Sequence, residues 1–231
     1  MIVMTSQQLT GQSETHLLEL SGLRMQADAL KAWLKLRKKA SSAGFDLRVA
    51  SGFRSFARQQ KIWNEKLLGQ RPVLDDKGIQ LDLSKLNEKS RLEAVLRFSA
   101  LPGASRHHWG TDIDVYDGLA IPDVSAVQLV PDETISGGVF ALLHEWLDEQ
   151  FSKSEGYGFF RPYDKDRGGV AIERWHLSYA PVARQCQRIM SVDLLRDLIR
   201  REDMISRELL EECLDDIYQR FIEVPYDCYP V

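Results

Sequence analysis

SRHHWGTDIDVYD, residues 105–117, is the stretch on which the fold turns. Its second half, from Thr111 to Asp117, alternates polar and apolar side chains strictly, the period-2 pattern of a strand with one buried face. Asp112 and Asp114 stand two apart and so share a face of that strand. Ahead of them, His107 and His108 lie just before Gly110, at a turn that lets an imidazole and a strand carboxylate converge. Nitrogen and oxygen donors brought together in this way suit a divalent metal. The spacing alone leaves His108 competing with His107, and Asp112 with Asp114.

On the amino-terminal side, Leu17, Leu18, Leu20, Leu23, Met25, Leu30, Trp33, Leu34 and Leu36 recur at helical spacing. They predict a long amphipathic helix, interrupted near Gly22 and ended by Gly44. Phe45 to Ser51 alternates as a strand. Ser55 then caps a helix over SFARQQKIWNEKLLG that stops at Gly69. The run QRPVLDDKGIQLDL, 70–83, reads as a surface loop, and Leu86, Leu92, Val95, Leu96 and Phe98 supply the apolar face of another helix. Beyond the central strand come a helix over VFALLHEWLDEQF and two strands, Tyr157 to Tyr163 and Val170 to Tyr179, joined by DKDRGG as a hairpin. From Pro181 onward the spacing predicts two or three helices.

At 231 residues the chain is long enough for one sizeable core. The expected organisation is a single domain: a helical segment 1–44, a catalytic core 45–180 and a helical extension 181–231. Hydrophobic residues make up 44% and charged residues 28%, which excludes a disordered chain. A net charge of −4, with no basic block, argues against nucleic acid as partner. No apolar run reaches the roughly 18 residues needed to span a bilayer, so no membrane insertion is expected. The start MIVMTSQQLTG lacks the basic and apolar regions of a secretory signal, and a cytoplasmic location is expected. Cys186, Cys213 and Cys228 have neither the number for a paired disulfide framework nor the CxxC spacing of a zinc site.

A second candidate cluster is ERWH, 173–176. Strict strand alternation sends Glu173 and Trp175 to one side and His176 to the other, unless a bulge or twist intervenes. Two histidines and an aspartate would leave a fourth metal position for water, a nearby carboxylate would serve as base, and Arg54 in SGFRS, just past a strand, would meet an oxyanion. Each residue also has a plain alternative as a strand-surface side chain, a helix cap or an ion-pair partner. His16 and His144 stand in no such context.

Taken together, SGFRSFARQ, SRHHWGTDID and ERWH resemble the SGYRS, SxHxxGxAxD and ExWH motifs of the zinc D-alanyl-D-alanine carboxypeptidases and dipeptidases, within the lysostaphin and hedgehog-like metallopeptidases. Their order and separation fit as well. The resemblance implies one Zn2+ per chain on His107, Asp114 and His176, with Glu173 as catalytic base and Arg54 polarising the scissile carbonyl. It makes Ser105 and Gln59 substrate-contact or supporting residues. It implies an α+β fold whose small antiparallel sheet carries the zinc site under a cover of helices. Two departures stand out: Phe53 in place of Tyr, and Asp112 in place of a small Ala. Asp112 could neutralise the metal, orient His107 or bind a substrate amine.

The implied activity is removal of a carboxy-terminal D-alanine from a peptidoglycan-derived peptide. A dipeptidase or a cross-link endopeptidase would use the same centre, and a non-catalytic hedgehog-like module would keep the metal without the chemistry. Cytoplasmic recycling of wall peptides would reconcile this substrate with the amino terminus.

Overall fold

The computed structural model describes residues 4–230; Met1–Val3 and Val231, and with them most of the apolar start MIVM and both ends of the expected domain, lie outside the described residues. After a single turn α1 (Ser6–Leu9), the chain forms a hairpin of β1 (Leu17–Leu20) and β2 (Leu23–Gln26), then the helix α2 (Ala27–Ser42). The long helix expected from Leu17 is therefore corrected over its first ten residues. Ser21 and Gly22 both take positive φ, 51° and 81°, and the register pairs Leu20 with Leu23. A two-residue turn with both centres left-handed matches the twist of antiparallel strands, and this chemistry overrides the helical spacing of the leucines. Gln26 caps α2 by accepting from the amides of Asp28 and Ala29.

β3 (Leu47–Ser51), α3 (Phe56–Leu67, capped by Ser55) and α4 (Glu88–Leu96) follow as expected. A 3₁₀ turn over Arg106–Trp109 closes on Gly110 in the left-handed conformation and delivers the chain to β4 (Asp112–Asp117). A side chain at Gly110 would collide with Leu17 and the amide of Gln26, so the glycine lets this turn sit on the hairpin. α5 (Ala141–Ser152) precedes β5 (Phe159–Phe160) and β6 (His176–Tyr179). The two strands pair antiparallel, Phe159 with Tyr179 and Phe160 with Ser178. They are shorter than expected: residues 161–175 form a long loop, not a tight DKDRGG turn. Three helices, α6 (Ala180–Ile189), α7 (Val192–Arg201) and α8 (Arg207–Ile217), a π turn over Tyr218–Ile222 and a 3₁₀ turn over Tyr226–Cys228 complete the described chain.

The main sheet is antiparallel in the order β3-β4-β6-β5. Its alternation divides the molecule. Leu47, Ile113, Val115 and Leu177 are fully buried in a core closed by Leu30, Trp33 and Leu36 of α2 and Leu143 and Leu147 of α5. A second core gathers Trp63 of α3, Leu92 and Leu96 of α4, and the inner faces of α6 to α8 around Leu195, Leu210 and Leu214. The polar positions Asp112, Asp114, His176 and Ser178, also buried, occupy the other face of the sheet. The protein is thus α+β, with a small antiparallel sheet between helices. Among the described residues, no helix is long and apolar enough to cross a membrane.

Candidate metal centre

β4 holds Asp114 between two neighbours: Ser51 on β3 and His176 on β6 are its register partners. The 3₁₀ turn swings His107 over the same point. His107 Nε2 lies 3.4 Å from Asp114 Oδ2, and His176 Nδ1 lies 3.2 Å from Asp114 Oδ1. One donor atom from each of these three residues falls within 4.8 Å of the others, and all three side chains are buried. The donor set is left incomplete by the protein itself. Neither His107 Nδ1 nor Asp114 Oδ1 has a hydrogen-bond partner, although both are shielded from solvent. Buried polar atoms are rarely left so. Two imidazoles and one carboxylate at this separation fit a zinc-like cation with a position to spare.

The face problem in ERWH is solved by the backbone. Glu173 precedes the strand, and the His176 amide donates to the Glu173 carbonyl at 3.1 Å, closing a turn that returns the carboxylate to the side of His176. Glu173 Oε2 thereby sits 3.6 Å from His176 Nδ1. Burial, joined by repulsion from Asp114, raises its carboxyl to about 7. Its proton affinity is therefore balanced near neutrality.

Asp112 shares the sheet face with Asp114 and His176 but meets His176 at the opposite ring nitrogen, outside the group of three. Its Oδ1 is 2.9 Å from His176 Nε2 and accepts from Arg106 Nε at 2.9 Å, while Oδ2 accepts from Thr111 and Ser178. It orients His176, not His107, and its filled hydrogen-bond shell leaves no room for a substrate amine. With Nε2 committed to Asp112, Nδ1 is the atom that His176 can offer to a cation. Burial opposes a charge on His176, but the carboxylates of Asp112 and Asp114 prevail and raise it to about 10, whereas burial lowers His107. A cation held here would take the place of a proton between these carboxylates.

Arg106, which no motif marks out, is buried beside Asp112. It also donates to Ser178 Oγ at 2.7 Å and Tyr229 Oη at 3.1 Å, and its guanidinium lies over the Trp109 ring. The available signal was an arginine inside a motif of otherwise buried residues. His108 is removed from contention: its Nδ1 is 2.6 Å from the Arg54 carbonyl and its Nε2 accepts from the Gly103 amide at 3.1 Å. It ties the SGFRS loop to the 3₁₀ turn.

Arg54 and Ser105 line the cleft that opens onto the three donors, a space of about 350 Å³ shared with Tyr163, Glu173 and Trp175. Ser105 Oγ is buried without a partner. Gln59 does not line the cleft: fully buried, it accepts from Arg54 Nη1 at 2.8 Å and donates to the Ala100 carbonyl at 2.6 Å. It holds the guanidinium in place with Ser51, which accepts from Nη2 at 3.0 Å. Phe53 packs its ring against His16 and under Arg24, remote from the donors.

A family model described as VanY: D-alanyl-D-alanine carboxypeptidase matches residues 22–182. An uncharacterized protein of Haemophilus influenzae is 44% identical over 103 residues, 42% of this chain and 70% of that protein. A D-alanyl-D-alanine carboxypeptidase of Enterococcus faecalis is 27% identical over 137 residues, covering 58% of this chain but only 40% of the relative. Among solved structures, VanYB in complex with D-alanine-D-alanine superposes with a TM-score of 0.51 at 21% identity, over 83% of this chain and 92% of that one. This last likeness shows the shared fold.

Proposed function

Because the chain belongs to the VanY D-alanyl-D-alanine carboxypeptidase family, we propose that it is a zinc-dependent hydrolase that removes the carboxy-terminal D-alanine of a peptidoglycan-derived peptide. The observation that carries this reading is the meeting of His107, Asp114 and His176 within 4.8 Å, beside a buried Glu173. These three residues would hold the zinc, His176 through Nδ1. When bound, such a cation supplies Lewis acidity towards a carbonyl oxygen and makes neighbouring water more acidic.

The remaining steps belong to the chain's own groups. Glu173 takes a proton from the attacking water and returns it to the departing amine, a double duty suited to a buried carboxyl beside the three ligands. Arg54, held by Gln59 and Ser51, presents its remaining N–H groups to the developing oxyanion. The Ser105 hydroxyl hydrogen-bonds the substrate backbone at the wall of the cleft. Asp112 and Arg106 keep His176 in one tautomer and one orientation.

The test is release of D-alanine from D-alanyl-D-alanine dipeptide, a pentapeptide ending in D-alanyl-D-alanine and a cross-linked muropeptide, with and without chelator. Chelator-sensitive turnover of the pentapeptide supports the reading; turnover of the dipeptide or the cross-linked substrate alone transfers it to a dipeptidase or endopeptidase. Binding without turnover makes the chain a non-catalytic module. We place the reaction in cytoplasmic recycling of wall peptides, a placement that cell fractionation recovering the protein mainly outside the cytoplasm would overturn.

A further inference from the structure

Lys66 is an ammonium of the cleft with no carboxylate at ion-pair distance among the described residues. It lies in the last turn of α3, lines the same space as Arg54, Ser105 and His107, and is only partly exposed. Its Nζ donates to Ser99 Oγ at 2.6 Å. Of the acidic groups that share the cleft, Glu173 attracts the ammonium only from beyond ion-pair distance, and the other two are occupied otherwise. Asp75 Oδ1 accepts from the amides of Lys77 and Ile79, and Asp114 faces the two histidines. Arg71, a neighbouring cation, has its own partner in Glu65 at 3.4 Å. Burial, with Arg71 and Arg54 adding repulsion that the attraction of Glu173 only partly offsets, lowers the Lys66 ammonium to about 8.

A half-buried cation whose hydrogen-bond partner is a neutral hydroxyl is incompletely satisfied, since an ammonium carries three donors. Its place on the helix is also informative. Lys66 stands seven residues after Gln59, two turns along and on the same face, and helical side chains lean back towards the amino terminus. The ammonium therefore reaches back towards the guanidinium that Gln59 holds, and Arg54 accordingly repels it. A substrate whose scissile carbonyl lies at Arg54 carries its free carboxylate one residue further on, roughly 3.5 Å of chain.

We propose that Lys66, with the Ser99 hydroxyl beside it, is the specificity-determining anchor for the free carboxylate of the residue to be released, so that the cleft selects chain ends over internal peptide bonds. The assignment rests on the carboxypeptidase reading above and narrows it, because a dipeptidase shares this requirement while an endopeptidase does not.

The experiment compares two substrates on the zinc-loaded protein: a pentapeptide ending in D-alanyl-D-alanine and the same peptide with its terminal carboxylate converted to the amide. For the wild type, kcat/KM should favour the acid by roughly 10- to 100-fold, the range of one charge-assisted contact. Lys66→Met, close in length and uncharged, should lose most of that preference through a higher KM for the acid. Lys66→Arg should keep most of it. A structural role for Lys66 would lower both substrates together and leave the ratio alone. The anchor is overturned if Lys66→Met is folded and retains the wild-type ratio, or if the wild type hydrolyses acid and amide equally. Should Lys66→Met fail to fold, Lys66→Arg decides: an acid preference lost with the charge retained refutes an electrostatic anchor. Turnover of neither substrate by the wild type refutes the hydrolase reading itself, and is thus distinct from the other outcomes.

Discussion

Asp112 Oδ1 sits 2.9 Å from His176 Nε2 and the same distance from Arg106 Nε, so one carboxylate oxygen serves a metal-facing imidazole and a fully buried guanidinium. Two results are expected of Asp112→Ala. The loss of an outer partner for His176 should weaken zinc about 10- to 100-fold. The loss of Arg106's counter-charge should cost about 3–5 kcal/mol of stability. Competition with a chromophoric chelator and urea unfolding measure the two separately. Unchanged zinc affinity in a folded variant would remove Asp112 from the support of the centre.

Glu173→Gln keeps the size of the side chain and removes its ability to carry a proton. A fall in kcat of about 10²–10⁴ is expected, with zinc still bound one per chain. Metal analysis of the purified variant alongside steady-state rates tests this, and near-normal turnover would mean that the base lies elsewhere.

Zinc bound only by the folded chain should raise its melting temperature. At a free metal concentration 100 times Kd the gain is about 2.7 kcal/mol, which corresponds to several degrees for a chain of this size. Chelator should lower the melting temperature by that amount and abolish hydrolysis, and added Zn2+ should restore both. A melting curve indifferent to chelator would count against a metal on His107, Asp114 and His176.

His144 provides a pH dependence remote from the centre. Its Nδ1 is 3.1 Å from Arg161 Nη2, its Nε2 is buried without a partner, and burial followed by the charges of Arg161 and Arg174 lowers its pKa to about 2. The unfolded chain, with an ordinary histidine near 6.5, then binds the extra proton, and stability falls as pH drops below that value. The slope contributed is about 1.4 kcal/mol per pH unit between roughly pH 6 and pH 3. Urea unfolding with chelator present throughout should show a slope smaller by this amount in His144→Gln. Identical slopes would mean that His144 is protonated in the folded protein.

The legible parts of this molecule are those where local chemistry and tertiary structure agree. TDIDVYD reads as a strand because its alternation is the alternation of the sheet, with Ile113 and Val115 towards the α2 core and Asp112 and Asp114 towards the centre. Ser55 caps α3 as its position implies. Elsewhere a short turn outweighs a long pattern. The leucines at 17, 18, 20 and 23 have helical spacing, but Ser21 and Gly22 fold them into a hairpin. In ERWH a reverse turn over 173–176, invisible to alternation, brings Glu173 to His176. Gln59 and Arg106 belong to a third kind: their roles depend on Ala100, Tyr229 and Ser178, partners distant in sequence that no local pattern specifies.

One of those distant partners changes how the boundaries of this protein should be drawn. The family match ends at residue 182, yet Tyr229 is hydrogen-bonded to Arg106, the carbonyl of Arg220 fills the space where a side chain at Gly169 would stand, and Phe221 forms part of the cleft wall. The stretch matched by the family model is therefore smaller than the stretch that packs around the centre. A fragment cut at residue 182 would keep every proposed zinc ligand and lose the scaffolding behind them, so that inheritance and architecture divide the same chain at different places.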